Sequence, residues 1–268
     1  MHTMVPTYAT SFRNTLSSFV PNPIKHFLVA KVLFGPTTGK LIRLLGPARN
    51  LKGIRFDVNS ANLAVGEVAN LYFNRRERAE FDLVRRHILR SDVTKIVELG
   101  ASIGFIASNL VHSKKIDYLG VEGSPRLTRE ARVNVENNNR TGSDWRVENF
   151  CIDYSGREHV EFAESSDSLV GQVGRGGNGV RVPAVTLGEL VRRYDLRDFA
   201  LIADIEGAED DMLFRDASAL EGCKIFVVEL EDTPQHSIDD QVRRAEEIGF
   251  ELRERFRNVF AFVRPRKH

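Results

Sequence analysis

The sequence predicts an α/β fold: a mostly parallel sheet with helices on both faces, closed by an antiparallel hairpin. Three observations predict it. From Thr94 onward, short apolar runs alternate with amphipathic stretches of helical spacing, the rhythm of βαβ units. The first of these runs ends in a carboxylate and a glycine turn, Glu98-Leu99-Gly100, as a strand does where it feeds a helix. The last two runs, Phe250–Phe256 and Val259–Val263, are separated only by Arg257-Asn258, and strands joined so tightly run antiparallel.

The elements follow in order. Residues 1–52 form a basic segment of short helices and turns, punctuated by Pro21, Pro23, Pro36 and Pro47, ahead of a domain over 53–268 whose core is 94–268. Two apolar clusters lie in it: Phe27, Leu28, Ala30, Val32, Leu33 and Phe34, then Leu41, Ile42, Leu44 and Leu45. Gly53–Val58 reads as a strand. Glu67–Leu89 reads as one helix, with Glu77, Glu80 and Asp82 among arginines on a solvated face. Strands follow at Lys95–Leu99, Ile116–Val121 and Trp145–Ile152, with helices at Ile103–Ser113 and Pro125–Asn137. An irregular stretch ends in the surface loop Gly171–Gly179. Then come a strand at Val180–Val185, a helix at Leu187–Tyr194, strands at Phe199–Ile205 and Lys224–Leu230, and a helix at Ser237–Ile248.

With 268 residues, 42% hydrophobic and 28% charged, the chain has the profile of a soluble globule large enough to bury its own core. Cys151 and Cys223 make no disulfide framework and no metal-type spacing, which suits a reducing, cytoplasmic setting. No run of apolar residues is long enough to span a membrane. The net charge of +1 conceals an asymmetry. Residues 1–56 hold eight Lys or Arg and no Asp or Glu, which leaves the rest of the chain at −7. Such a segment is a cap on an acidic domain, a targeting peptide, or a surface for anionic lipid and so for peripheral membrane contact.

The candidate chemistry clusters at strand ends. In Glu98-Leu99-Gly100-Ala101-Ser102-Ile103-Gly104, Gly100 permits a tight turn and Gly104 close packing where the helix starts. The middle glycine of a dinucleotide fingerprint is missing, and no P-loop lysine follows. The acidic Glu98 suits a cationic, amine-bearing ligand such as S-adenosylmethionine. Glu122, 22 residues beyond Gly100 at a strand end, can accept both hydroxyls of a ribose. Asp153 either accepts from an adenine amino group or forms the turn into Tyr154-Ser155-Gly156. Asp204 lies at the end of the Phe199–Ile205 strand and Glu206 and Glu209 follow it, where open α/β sheets bind ligands. Asp204 and Glu206 are the candidate base or grip on a polar substrate, while Asp210 and Asp211 complement a helix dipole. Glu229 ends the next strand, and His236 after it is a reserve general base.

Together these residues resemble the FkbM family of S-adenosylmethionine-dependent methyltransferases. The resemblance runs from about Gly53 to Val263 and is carried by Val97–Phe105, Tyr118–Glu122, Val182–Leu187 and, most specifically, Asp204-Ile205-Glu206-Gly207-Ala208-Glu209. It departs from the family at Ser102, Gly123 and Ala203, where Asn, Pro and Lys are usual. The resemblance implies a class I, Rossmann-like, seven-stranded sheet and methylation of a hydroxyl on a sugar, glycolipid or natural product. Glu98, Gly100, Ala101, Ser102, Gly104, Glu122, Gly123, Ser124 and Asp153 would then line the cofactor. Asp204 and Glu206 would be catalytic, and Glu209, Glu229 and His236 would meet the substrate. A divalent metal is compatible but not demanded, and nucleic acid is not an expected partner, since no aromatic loop follows the fourth strand to stack a flipped base. The alternatives are N-methylation of a protein or small-molecule amine, and a non-catalytic binding module.

Overall fold

The structure is a computed structural model that describes residues 35–46, 50, 52–60, 63–73, 77–163, 172–173 and 180–265. Seven strands form the main sheet: β1 (Lys95–Leu99), β2 (Asp117–Val121), β3 (Asp144–Glu148), β8 (Phe199–Ala203), β9 (Cys223–Glu229), β10 (Glu251–Phe256) and β11 (Val259–Val263). Their order is β3-β2-β1-β8-β9-β11-β10. Every neighbouring pair is parallel except those made by β11, which runs antiparallel to both β9 and β10. This is the class I arrangement that the resemblance implies.

β1 and β8 alternate between two cores, as period-two side chains do. Ile96, Ala200 and Ile202 face one core together with α2 (Val65–Tyr72), α3 (Arg78–His87), α4 (Phe105–Ser113) and α5 (Pro125–Asn138). Val97, Leu99, Phe199 and Leu201 face the other, against α6 (Leu187–Arg193), α7 (Ala208–Arg215) and α8 (Ile238–Glu247). All five residues of β8 are buried, which is why it reads as a continuous apolar run.

Four expectations are corrected. Residues 53–58 form no strand. Ile54, Phe56 and Val58 do turn inward, but among the described residues no strand lies alongside to pair with them. The Asn138 amide takes that place, accepting from the Arg55 N–H and donating to the Arg55 carbonyl, each at 2.8 Å. The single helix over 67–89 is two, α2 and α3, separated where Glu77 adopts a left-handed conformation (φ 46°) that no helix interior tolerates. The strand over 145–152 divides into β3 and β4 (Cys151–Ile152), which belong to different sheets. The stretch expected to be irregular instead supplies β5 (His159–Ala163) and β6 (Gln172–Val173) to a small sheet of order β4-β7-β5-β6, with β7 (Val180–Val185) at its centre. Apart from β6, the 171–179 loop lies outside the described residues, as does the apolar cluster at 27–34.

The described part of the N-terminal segment is α1 (Pro36–Leu45), with Pro36 in its first turn and left-handed Gly46 (φ 55°) closing it. Gly39 lets α1 cross α2 closely: a Cβ there would stand 1.9 Å from the Val65 carbonyl. Arg43 reaches under the chain to donate to the carbonyls of Val58, Ser60 and Leu63. Phe56 stacks on Phe105 at 5.9 Å, so the stretch after α1 rests directly on the helix that follows β1.

Candidate active site

The carboxyl ends of β1, β2, β8 and β9 meet at one edge of the sheet, and the candidate residues lie there. The turn after β1 hangs from β2: the N–H groups of Gly100 and Ala101 both donate to the Val121 carbonyl, at 2.9 and 3.0 Å. Glu122 completes the attachment. It is only 6% exposed. One carboxylate oxygen accepts from Ser102 N–H (2.8 Å) and the other from Ser124 N–H (2.7 Å). Ser102 is held at φ 49°, a conformation non-glycine residues adopt only when the surroundings impose it. Gly104, at φ 75°, brings α4 against α5: a Cβ there would stand 3.1 Å from the Ala131 backbone. Ala101 is buried. Ser124 caps α5 by accepting from Leu127 N–H, and the Gly123 carbonyl accepts from Asn149.

The loop after β8 is built by the same device. Glu209 is 2% exposed. Its two oxygens accept from the N–H groups of Ile205 and Gly207, the second at 2.8 Å. Glu206 (φ 56°) and Gly207 (φ 99°) are consecutive left-handed residues, which reverse the chain sharply and leave the Glu206 side chain exposed. Glu209 thus shapes the loop it was expected to serve as a substrate contact. Asp153 also holds its own turn: it accepts from Ser155 N–H and Oγ and pairs with Arg157 at 3.3 Å.

Carboxylates crowd this edge, and the crowding sets their chemistry. Burial, followed by the charges of Glu229, Glu209, Glu77 and Glu206, raises Asp204 to about 8. Burial raises Glu209 to about 7 against the opposing pull of its backbone donors. Glu98, Glu122, Glu206 and Glu229 are all shifted upward, burial being the largest cause in each case. Glu98 is 2% exposed and accepts from the Tyr118 hydroxyl at 2.5 Å. Gly120 makes room for that contact. It lies opposite Glu98 in the ladder, and a Cβ on it would meet the Tyr118 hydroxyl at 2.7 Å.

Three participants escaped the sequence reading. Glu80 does not lie on a solvated face of α3. It is 5% exposed and carries the largest burial among its causes of an upward shift, with Asp204 next. Its signal was positional, because Glu80, Leu83, Val84 and Ile88 share one stripe at i, i+3, i+4 and i+8. Tyr118 is fully buried behind Glu98. Asp210, read only as a helix-dipole residue, is 6% exposed and sits 2.9 Å from His236 Nδ1. The His236 ring lies flat on Phe214, with centroids 3.6 Å apart and planes 3° from parallel. Among the described residues, no three His, Cys, Asp or Glu side chains converge as metal ligands would.

Residues 98–262 match the Methyltransferase FkbM domain. No curated protein matches the sequence. Among solved structures, the chain is similar to a TehB-like SAM-dependent methyltransferase from Corynebacterium glutamicum, at 16% identity over 70% of this chain and 88% of that one (TM-score 0.38). It is similar to magnesium protoporphyrin IX methyltransferase from Synechocystis, solved with SAM bound, at 11% identity over 89% and 96% of the two chains (TM-score 0.45). It is similar to ribosomal protein L11 methylase from Lactobacillus delbrueckii, at 11% identity over 73% and 81% (TM-score 0.42).

Proposed function

The chain belongs to the FkbM methyltransferase family, and from that premise we propose that it methylates a hydroxyl group, on a sugar, glycolipid or natural product, with S-adenosylmethionine as donor. The observation that carries the reading is the set of buried and half-buried carboxylates around the Gly100–Gly104 turn: Glu98, Glu122, Asp204 and Glu229. That donor set repels a phosphate and suits a ligand carrying a sulfonium and an ammonium group. The helix beginning at Phe105 has no side-chain cap, so its N-terminal N–H groups favour the carboxylate of such a ligand.

When bound, S-adenosylmethionine supplies an electrophilic methyl carbon. Glu122, already fixed by two backbone donors, presents its remaining acceptor capacity to the ribose hydroxyls. Glu98, shifted upward by burial in the free chain, is drawn back to its charged form by the amino group of the bound ligand. Asp204 lies nearest the acceptor, and a carboxyl titrating at about 8 is poised near working pH to take the hydroxyl proton. Glu206, exposed on its left-handed turn and close enough to Glu229 for their charges to interact, orients the acceptor, while His236 is paired with Asp210. Placement of the oxygen against the methyl carbon supplies much of the acceleration.

An amine acceptor is the second reading. It is favoured by Glu231, whose charge acts on Glu206, Glu209 and Glu229 and adds to the attraction for a cation. The test is calorimetric titration with S-adenosylmethionine and S-adenosylhomocysteine, on the wild type and Glu122→Ala. Micromolar binding lost in the variant supports the cofactor assignment, and a screen of sugar hydroxyls against amines then separates the two acceptors. A folded protein that binds neither ligand refutes the reading.

A further inference from the structure

We propose that the outer face of α1 is a docking surface for an anionic lipid bilayer. The inference is independent of which group accepts the methyl. The inner face of α1 is committed: Gly39 and Ile42 are buried against α2, and Arg43 is drawn inward by three carbonyls. That fixes the rotation of the helix, and it leaves Leu41, Leu44 and Leu45, at i, i+3 and i+4, on the outside. They are 54%, 84% and 72% exposed. Only four other large apolar side chains among the described residues are exposed, and they are scattered over α5, β7 and β10. A single exposed leucine is ordinary; three on adjoining turns of one helix make a patch.

Charge selects the occupant. The patch lies within a stretch, residues 1–56, that has eight Lys or Arg and no acidic residue. Lys40, on the same helix, is exposed, as are Lys52 and Arg55 in the chain that follows it. A second copy of the chain docked on this face would set two basic segments against each other. An anionic bilayer answers both features: its headgroups meet the cations while the leucines enter the boundary with the acyl chains.

The experiment is co-sedimentation of the full-length protein with vesicles of phosphatidylcholine and phosphatidylglycerol in equal parts, and with phosphatidylcholine alone. The wild type is expected in the pellet with the anionic vesicles at low salt, and to return to the supernatant as salt screens the headgroups. Leu44→Gln/Leu45→Gln changes only exposed positions. It should keep the wild-type melting curve while lowering partitioning at least roughly tenfold. Lys40→Glu, which leaves the leucines intact, should weaken binding to the anionic vesicles. Wild-type protein that stays in the supernatant with both vesicles overturns the proposal, as does a double-leucine variant that sediments like the wild type. A dimer in velocity sedimentation that the leucine variant loses also overturns it, by making a second copy the occupant.

Discussion

Gly100 and Asp204 meet backbone to backbone: a Cβ on Gly100 would stand 1.9 Å from the Asp204 carbonyl oxygen. The Asp204 N–H donates to the Leu99 carbonyl at 3.0 Å on the same seam. The turn proposed to hold the cofactor and the loop proposed to hold the acceptor are therefore one rigid junction across β1 and β8. Gly100→Ala must open that junction as well as adopt φ 89°, and an expected loss of roughly 2–4 kcal/mol follows. Gly156→Ala is the control. It sits at φ 82° with open space around it, so it bears the conformational cost alone, about 1 kcal/mol. Chemical denaturation of both variants checks this, and equal losses would show that the contact with Asp204 carries no cost.

The two carboxylate staples differ in what they are asked to do, and substitution separates them. Glu209→Gln leaves one oxygen to accept while its NH2 faces a backbone donor, so the loop after β8 loosens, at a cost of about 1–3 kcal/mol. Cofactor affinity should change little. Glu122→Gln makes the same mismatch beside Ser102 and also loses charge at the ribose, so affinity for S-adenosylmethionine should fall more than tenfold. Calorimetry on both variants decides. A Glu122 variant with lower stability and unaltered affinity would make Glu122 a structural staple alone.

The pH dependence of stability has a definite sign. A carboxyl whose folded-state value is raised binds its proton more tightly in the folded than in the unfolded chain. Its contribution to stability is then full at low pH and is lost as pH rises toward the folded value. Asp204 is raised to about 8 and acts in this direction, and so do Glu80, Glu98 and Glu229, each shifted upward chiefly by burial. The melting temperature should fall between pH 6 and about 8.5. Asp204→Asn should flatten that fall by roughly 1–3 kcal/mol at the alkaline end, and Glu80→Gln should change it in the same direction. A cationic ligand relieves the same repulsion, so S-adenosylmethionine should raise the melting temperature more at the alkaline end than at pH 6. A profile that rises with pH contradicts the upward shift that burial and neighbouring charges give these groups.

The parts legible in the sequence are those written locally. β1, β2, β8, β9 and β11 could be read because each buries an apolar run, and the largely exposed β10 because only Arg257-Asn258 separates it from β11. The site's glycines and carboxylates could be read because they follow strands directly. What was missed depends on partners far along the chain. Ile54, Phe56 and Val58 alternate like a strand, yet the group that satisfies Arg55 is Asn138, 83 residues away. β4 follows β3 after two residues but pairs with β7, so no local pattern shows that the chain has changed sheets. Glu80 was the avoidable miss, because its place on the apolar stripe of α3 was visible once that stripe was drawn. Leu41, Ile42, Leu44 and Leu45 read as one cluster and proved to be two faces, with Ile42 packed inward and the leucines exposed.

Asp210 and His236 provide the last prediction, since their pairing joins the loop after β9 to the start of α7. Asp210 Oδ1 and Oδ2 lie 2.9 and 3.1 Å from His236 Nδ1, and the loop from 231 to 236 is braced around Thr233, whose hydroxyl accepts from the N–H groups of Gln235 and His236. The contact is more than a surface ion pair, because Asp210 is buried and Phe214 holds the imidazole flat. Asp210→Ala and His236→Ala should therefore each destabilise, and their effects should not add. A double-mutant cycle is expected to show a coupling of about 0.5–3 kcal/mol. His236→Phe keeps the stack on Phe214 but leaves the Asp210 carboxylate without its ring nitrogen, so it should cost more than the loss of an exposed pair, which is at most about 1 kcal/mol. Additive single effects would mean that the imidazole is held by Phe214 alone, and that Asp210 serves only the N-terminus of its own helix.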